Sequence, residues 1–363
     1  MRQAGRYLPG YRDIRARHAV LEIAKTPELA SQVALMAVKE LGVDAAILFA
    51  DIMLPLEAMG VRLTIVDDVG PVIESPIRSP EDVDRLRPLD LGSMSFLSES
   101  IRRLREKLNG LPLIGFSAAP FTLASYLIEG KPSRDFARTK EFLWREPGAW
   151  HDLMHRLSAA MASYLRFQVE AGADAIQVFD SWVGCLGPRD YRLQVMPHVR
   201  EIFDGLRDLD VPKIHFGTNT ATLLPLMREA GGDIISVDWR IPIDEAWDRV
   251  GHDVAIQGNL DPAVLLAGPA EIEAQARDIL ERIDGRPGHV FNLGHGILPG
   301  TPVEHARLLV KRVHEWTSRG GGSLSRPPSS SWPMEARRAP RTSNHTSLTS
   351  EAATARRRRR LRT

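Results

Sequence analysis

The chain has a single cysteine, Cys185, no run of about 18 apolar residues, and no apolar segment near its start. One thiol excludes a disulfide framework and any metal site built from several cysteines, and it suits a reducing compartment. The missing apolar runs give no support to a membrane span or a secretory leader, so the expectation is a cytoplasmic protein. Lysine is absent after Ser318, where eleven Arg face only Glu335 and Glu351. That surplus of +9 hides inside a formal net charge of +1 and leaves −8 for everything before it. The same stretch is made of Gly, Ser, Pro, Thr and Arg, with too little apolar surface to bury a core, so residues 318–363 are expected to be a disordered tail beside a folded body at 1–317. Its run Arg356 to Arg360 reads either as a tether for nucleic acid or another acidic surface, or as a solvated tail.

What is present is an alternation. With 43% hydrophobic residues the body can bury a large core. Thr26-Pro27-Glu28 supplies an N-cap, a proline at the first helical position and a first-turn acid, and the helix they open runs to about Leu41, before Gly42. A short apolar run follows at Ala45 to Phe49. Similar runs recur at Leu111 to Phe116, Ala175 to Phe179, Lys213 to Phe216, Ile234 to Val237, Val254 to Ile256 and Val290 to Asn292, each followed by helical patterning. These are the marks of buried parallel strands in an α/β protein. A series of seven fits an open doubly wound sheet or an eight-stranded (β/α) barrel. The barrel is favoured because side chains capable of chemistry recur just after the runs: Asp51, Ser117, Asp180 with Ser181, Asn219, Asp238, Asn259 and His295. The expected fold is therefore an α/β (β/α)8 TIM-type barrel whose first strand is missing from this chain, because residues 1–26 show no clean strand. The interval Leu54 to Gly110, with a helical pattern at Phe96 to Leu108 and extended chain around Val61 to Ile77, reads as an insertion within the barrel.

Several residues carry chemical potential. Arg2 and Arg6 flank Gln3-Ala4-Gly5 at the N-terminus. Their guanidinium groups suit carboxylates or phosphates, and Gly5 lets backbone approach a ligand; the other account is an ordinary charged terminus. Asp51, at the end of an apolar run, must be paired if buried. It serves as an acceptor for ligand N–H groups or a stabiliser of positive charge, or else as a helix N-cap or a structural partner for arginine. His295 lies in Asn292-Leu293-Gly294-His295-Gly296, where flanking glycines present an imidazole that can donate, accept or shuttle a proton. The glycine pattern is no nucleotide loop, because its spacing is one residue too long and Pro299 lies inside it. Tyr126 sits on a helix after the run ending at Phe116, and Ser181 follows Asp180; no nucleophile elbow surrounds Ser181, so a Ser-His-Asp hydrolase is unsupported. Cys185 has no ligand partner at metal spacing, and no metal is expected.

Taken together, Arg2 to Pro9, the run ending at Asp51, Ala119-Pro120-Phe121-Thr122 through Glu129-Gly130, Lys131 to Phe136, Phe179-Asp180-Ser181-Trp182, Gln257 to Pro262 and Asn292 to Gly296 resemble, in order, the uroporphyrinogen decarboxylase family. The resemblance covers residue 1 to about 317. It implies a homodimeric barrel that removes carbon dioxide from the four acetate side chains of uroporphyrinogen III, giving coproporphyrinogen III without metal or organic cofactor in haem biosynthesis. It also implies residue roles. Arg2 and Arg6, with Gln3, Ala4 and Gly5 beside them and Arg15 as a weaker candidate, would hold the substrate's eight carboxylates. Asp51 would accept its pyrrole N–H groups and stabilise the cationic ring formed by protonation. Arg2 would be the proton donor. Tyr126, Ser181 and His295 would hold carboxylates, with His295 also relaying protons.

The chain departs from the family pattern in three places. The family carries a helical segment and a first strand before the arginine motif, so the expectation is either that Met1 is an interior methionine of a longer, active product, or that the barrel is open or incomplete, with Arg2 and Arg6 poorly held and activity severely reduced. The tail has no family counterpart, and Gly10 stands where the family often has Glu. Two other readings are weaker. Related barrel methyltransferases hold zinc on His and Cys ligands, and no His-x-Cys occurs here; nucleic-acid binding through the tail would make the body incidental.

Overall fold

The computed structural model describes residues 3–66 and 69–318. Its strands are β1 (Ala46–Ile47), β2 (Leu63–Val66), β3 (Gly70–Ile73), β4 (Leu113–Ala118), β5 (Ala175–Asp180), β6 (Lys213–Gly217), β7 (Ile234–Ser236), β8 (Ala255–Leu260) and β9 (His289–Leu293). Helices α1 (Pro9–Arg15), α2 (Val20–Lys25) and α3 (Pro27–Leu41) precede β1, and α4 (Leu54–Ala58), α5 (Pro80–Asp84) and α6 (Ser95–Lys107) lie between β1 and β4. Next come α7 (Pro120–Glu129), α8 (Ala137–Arg145) and α9 (Pro147–Ala171), then α10 (Pro188–Gln194) and α11 (Met196–Gly205). Single helices α12 (Leu224–Ala230), α13 (Ile243–Val250), α14 (Pro269–Ile283) and α15 (Val303–Thr317) complete the body. No helix among the described residues is long and apolar enough to cross a membrane.

Strand order decides between the two α/β architectures. The large sheet runs β1-β4-β5-β6-β7-β8-β9, all parallel, so each new strand adds beside the last. A doubly wound sheet reverses its order partway, whereas a barrel does not. The sheet curls until its last helix reaches the first long one: Arg307 Nε of α15 donates to the Glu40 carbonyl of α3 at 2.8 Å, and His314 Nε2 lies 2.9 Å from Asp44 Oδ2. All seven apolar runs are strands of this sheet. Hairpin β2-β3 and helix α6 fall where the insertion was expected, and α3 begins at Pro27 and ends at Gly42, whose φ of +70° is the left-handed conformation that stops helices.

β1 is shorter than its apolar run. Only residues 46–47 ladder with β4, although Leu48 N–H still donates to Ile114 O at 3.0 Å. Its other edge is held by a side chain: Gln3 Nε2 donates to Ala45 O at 2.7 Å and Gln3 Oε1 accepts from Ile47 N–H at 3.0 Å. One primary amide thus supplies the donor and acceptor that a neighbouring strand would offer.

Alternation along the strands separates two faces. Gln177 of β5 and Gln257 of β8 belong to strands that are not neighbours, yet their side chains meet across the interior at 3.5 Å. In register with Gln177, or two residues on, stand Phe116, Phe179 and Phe216, whose rings follow one another at 5.5 and 5.7 Å. The intervening residues point to the helices. Gly115 is one, and an added Cβ there would lie 2.5 Å from Gln168 Oε1. That glycine lets the fully buried Gln168 of α9 accept from Phe116 N–H at 2.8 Å and donate to Phe116 O at 2.9 Å. Around it α9 buries Trp150, Leu153, Met154, Leu157, Met161, Tyr164 and Leu165, an apolar stripe at helical spacing.

Candidate active site

In a parallel barrel the carboxyl ends of all strands open at one rim, where loop residues from distant parts of the chain meet. Asp51, Tyr126, Ser181 and His295 each follow such an end, after β1, β4, β5 and β9. The segment from Gln3 to Leu8 joins them through β1. Gln3 pins it to the strand, Leu8 N–H turns back to Gly5 O at 3.0 Å, Tyr7 Oη donates to Gln3 O at 2.5 Å, and Arg12 Nη1 donates to the carbonyls of Arg6 and Tyr7. Tyr11 of α1 then packs on Phe49, 5.6 Å between ring centres and two residues before Asp51. Gly5 is buried and Ala4 packs against the core, while the Arg6 side chain is exposed. Arg2 lies outside the described residues, as do 319–363 with the run Arg356 to Arg360.

Asp51 is half-buried, and its Oδ1 accepts from Met53 N–H at 2.9 Å while its carbonyl accepts from Leu54 N–H at 3.2 Å. The carboxylate therefore closes the turn that leads to α4, whose N-cap is Met53 and not Asp51, and this fixes its place after β1. Burial, with the Asp51 charge as a second cause, raises the phenol of Tyr164 well above its ordinary range. Tyr164 is a residue that sequence reasoning missed; it lies inside the α9 stripe and carries no local signal.

Trp182, the residue after Ser181, packs on Tyr126, with ring centres 3.9 Å apart, and lies 5.1 Å from Phe136. Asp180 closes β5 with no exposure at all. Its Oδ1 accepts from Thr122 Oγ1 of α7 at 2.9 Å, and burial pushes its carboxyl up to about 7. His295 is exposed, with its ring 6.4 Å from Phe216 at the end of the interior aromatic row. The glycine before it is a packing requirement: a Cβ on Gly294 would stand 2.7 Å from Trp239 N.

The remaining rim residues found from sequence are structural. Asp238 accepts from Asn219 N–H at 2.6 Å and pairs with Arg240, and Asn259 Nδ2 donates to Asp238 O at 2.9 Å and Ile241 O at 2.7 Å. Ser117 is buried on the helix-facing side of β4. Cys185 is held as a thiol, pushed up to about 11 by burial, and the described residues contain no group of three side chains arranged to hold a metal ion. The hollow lined by Glu28, Gln32, Met36, Lys39, Arg103 and Lys107, between α3 and α6, contains none of the site residues.

Known proteins sharing these features fall into two groups. Among solved structures, a methyltransferase from Methanosarcina mazei superposes with a TM-score of 0.68 at 22% identity, covering 81% of this chain and 87% of that one. A B12-independent methionine synthase from Shewanella sp. W3-18-1 gives 0.53 at 14% identity, with coverage of 81% and 87%. Such likenesses show the barrel fold. Sequence relatives are much nearer. Uroporphyrinogen decarboxylase from Chloroflexus aurantiacus is 54% identical over 321 residues, spanning 87% of this chain and 90% of the relative. The enzyme of that name from Carboxydothermus hydrogenoformans is 50% identical over 320 residues, spanning 88% and 91%. A family model described as Uroporphyrinogen decarboxylase (URO-D) matches residues 1–316, and with it the chain belongs to the uroporphyrinogen decarboxylase family.

Proposed function

We propose that this chain converts uroporphyrinogen III to coproporphyrinogen III by removing the carboxyl groups of its four acetate side chains, with Asp51 at the centre of the chemistry. The observation that carries this reading is the collection of Asp51, Tyr126, Ser181 and His295 at one rim, in a chain half identical to decarboxylases over most of its length. A proton added to the pyrrole carbon next to the acetate-bearing one leaves a cation delocalised over the ring and its nitrogen. The acetate C–C bond then breaks, its electron pair forms an exocyclic methylene on the ring, and carbon dioxide leaves. A second proton turns that methylene into the methyl group, and loss of the first restores the pyrrole. The substrate is its own electron sink. A fixed anion beside the ring stabilises the cationic intermediate and the transition state leading to it, and Asp51, held by Met53, provides one that also accepts the pyrrole N–H groups.

Arg2 and Arg6 hold substrate carboxylates in two-pronged pairs, on a segment anchored to β1 by Gln3 with Ala4 and Gly5 beside it. Tyr126, Ser181 and His295 take other carboxylates. The ring proton comes from Arg2, and His295 relays it. In the same reading the working enzyme is a cytoplasmic homodimer, the catalytic body is 1–317, and the tail at 318–363 takes no part in the reaction. Incubating the protein with uroporphyrinogen III and separating products by carboxylate number tests this. Stepwise appearance of species down to the tetracarboxylate is expected; return of the octacarboxylate alone overturns it. The same assay on a chain ending at Thr317 tests the tail, and sedimentation tests the dimer.

A further inference from the structure

Two residues at and just beyond the end of β5 contact one helix. Asp180 reaches Thr122 and Trp182 stacks on Tyr126, so that α7 is gripped at two successive turns. Thr122 and Tyr126 are four apart and share a face of α7. Ser181 sits between the two gripping residues. By alternation from Phe179, which lines the interior, Asp180 points outward among the helices; it does not face the rim where substrate binds. Thr122 and Asp180 are both fully buried.

A buried carboxyl is a costly way to hold a helix. Its second oxygen, Oδ2, has no hydrogen-bond partner among the described residues. Two groups that feel its charge are a buried phenol and a thiol: Tyr191 on α10, raised by burial with Asp180 as second cause, and Cys185, also raised by burial. An ordinary apolar contact between β5 and α7 would stabilise the fold at least as well. What the carboxyl adds is direction: it fixes the rotation of α7 about its axis, and so the point to which the Tyr126 hydroxyl is carried.

We infer that Asp180 is a positioning residue for the decarboxylation: through Thr122 it sets α7 so that Tyr126 and Ser181 address the same substrate carboxylate. The inference rests on the reading of Tyr126 and Ser181 as carboxylate-binding residues. Thr122→Val keeps the shape of the side chain and removes the tie, and Thr122→Ser keeps the tie. Thr122→Val should raise KM for uroporphyrinogen III about fivefold, the worth of one ordinary hydrogen bond, and Thr122→Ser should restore it. Asp180→Ala should behave as Thr122→Val does. Tyr126→Phe should give a loss of the same kind, and Thr122→Val added to Tyr126→Phe should cost little more, because both act through one hydroxyl. A purely structural tie would instead give independent, additive losses.

Wild-type KM in Thr122→Val, or full additivity with Tyr126→Phe, overturns the inference while leaving Tyr126 a binding residue. Wild-type KM in Tyr126→Phe overturns the carboxylate reading, and this inference with it. Thermal melts of each variant separate misfolding from misplacement: if Asp180→Ala fails to fold, Thr122→Val and Thr122→Ser still decide the matter.

Discussion

Replacing Asp51 by Asn separates the two tasks of that side chain. The amide oxygen of Asn still accepts from Met53 N–H, so the turn into α4 survives and stability should change by no more than about 0.5 kcal/mol. The charge is lost. A carboxylate about 5 Å from the centre of a pyrrolium cation, at an effective dielectric near 20, stabilises it by about 3 kcal/mol, which is roughly two orders of magnitude in rate. Unprotonated substrate carries no ring charge, so the loss should fall mainly on kcat. Asp51→Ala removes the acceptor as well and should cost about 1 kcal/mol of stability besides, the worth of one hydrogen bond. The measurement is single-turnover release of carbon dioxide from uroporphyrinogen III, with a thermal melt of each variant. An Asn variant within threefold of the wild-type rate would refute the electrostatic role, and a large fall in its melting temperature would refute the claim that the turn is retained.

Gln3→Ala strips two hydrogen bonds from the edge of β1 and should cost about 1–3 kcal/mol, and by releasing the arginine segment it should raise KM more than it lowers kcat; urea melts and steady-state kinetics check both. Gly294→Ala puts a methyl group against the Trp239 backbone, so it should displace the His295 loop and depress kcat about tenfold or more, with wild-type turnover as the contrary result. Asp180 is raised from 3.8 to about 7, so the folded state holds its proton more tightly than the unfolded chain. Its stabilising contribution is complete below the unfolded value, declines as pH rises, and is lost above about 7, a change of at most about 4 kcal/mol. Asp180→Asn does not titrate and should therefore be the more stable protein at pH 8 in urea unfolding, and parallel pH profiles for the two proteins would show that the carboxyl is not perturbed.

The strands were legible because burial on both faces forces nearly continuous apolar runs, which need no partner to be recognised. Rim residues such as Asp51 and His295 were legible as candidates because they follow such runs at the strands' carboxyl ends, but Asp238 and Asn259, found by the same rule, are structural. Gln3 and Gln168 were not. Each is an amide that reaches a strand more than 40 residues away in sequence, and nothing in its neighbourhood distinguishes it from a surface glutamine. The same holds for Asp180. Sequence placed it with Ser181 as one rim pair, but Asp180 belongs to the helix-facing layer, which the Gln177 to Gln257 contact and the aromatic row from Phe116 to Phe216 reveal.

That division has a physical cause. The interior of the sheet is occupied by Phe116, Phe179, Phe216 and a glutamine pair, so the barrel centre is a packed core and only its mouth can receive a large ligand. A tetrapyrrole with carboxylates around its rim must therefore be met by loops, and loops hold their side chains in place only if something behind them is rigid. Here the rigid parts are polar ties made one layer back. Gln3 holds the arginine segment to β1, Asp180 holds Tyr126 through Thr122, and close packing at Gly294 holds the loop of His295. None of these three contacts requires a residue to touch the substrate. Conservative changes to them should therefore alter KM and kcat before they unfold the protein, whereas changes to the aromatic row should do the reverse.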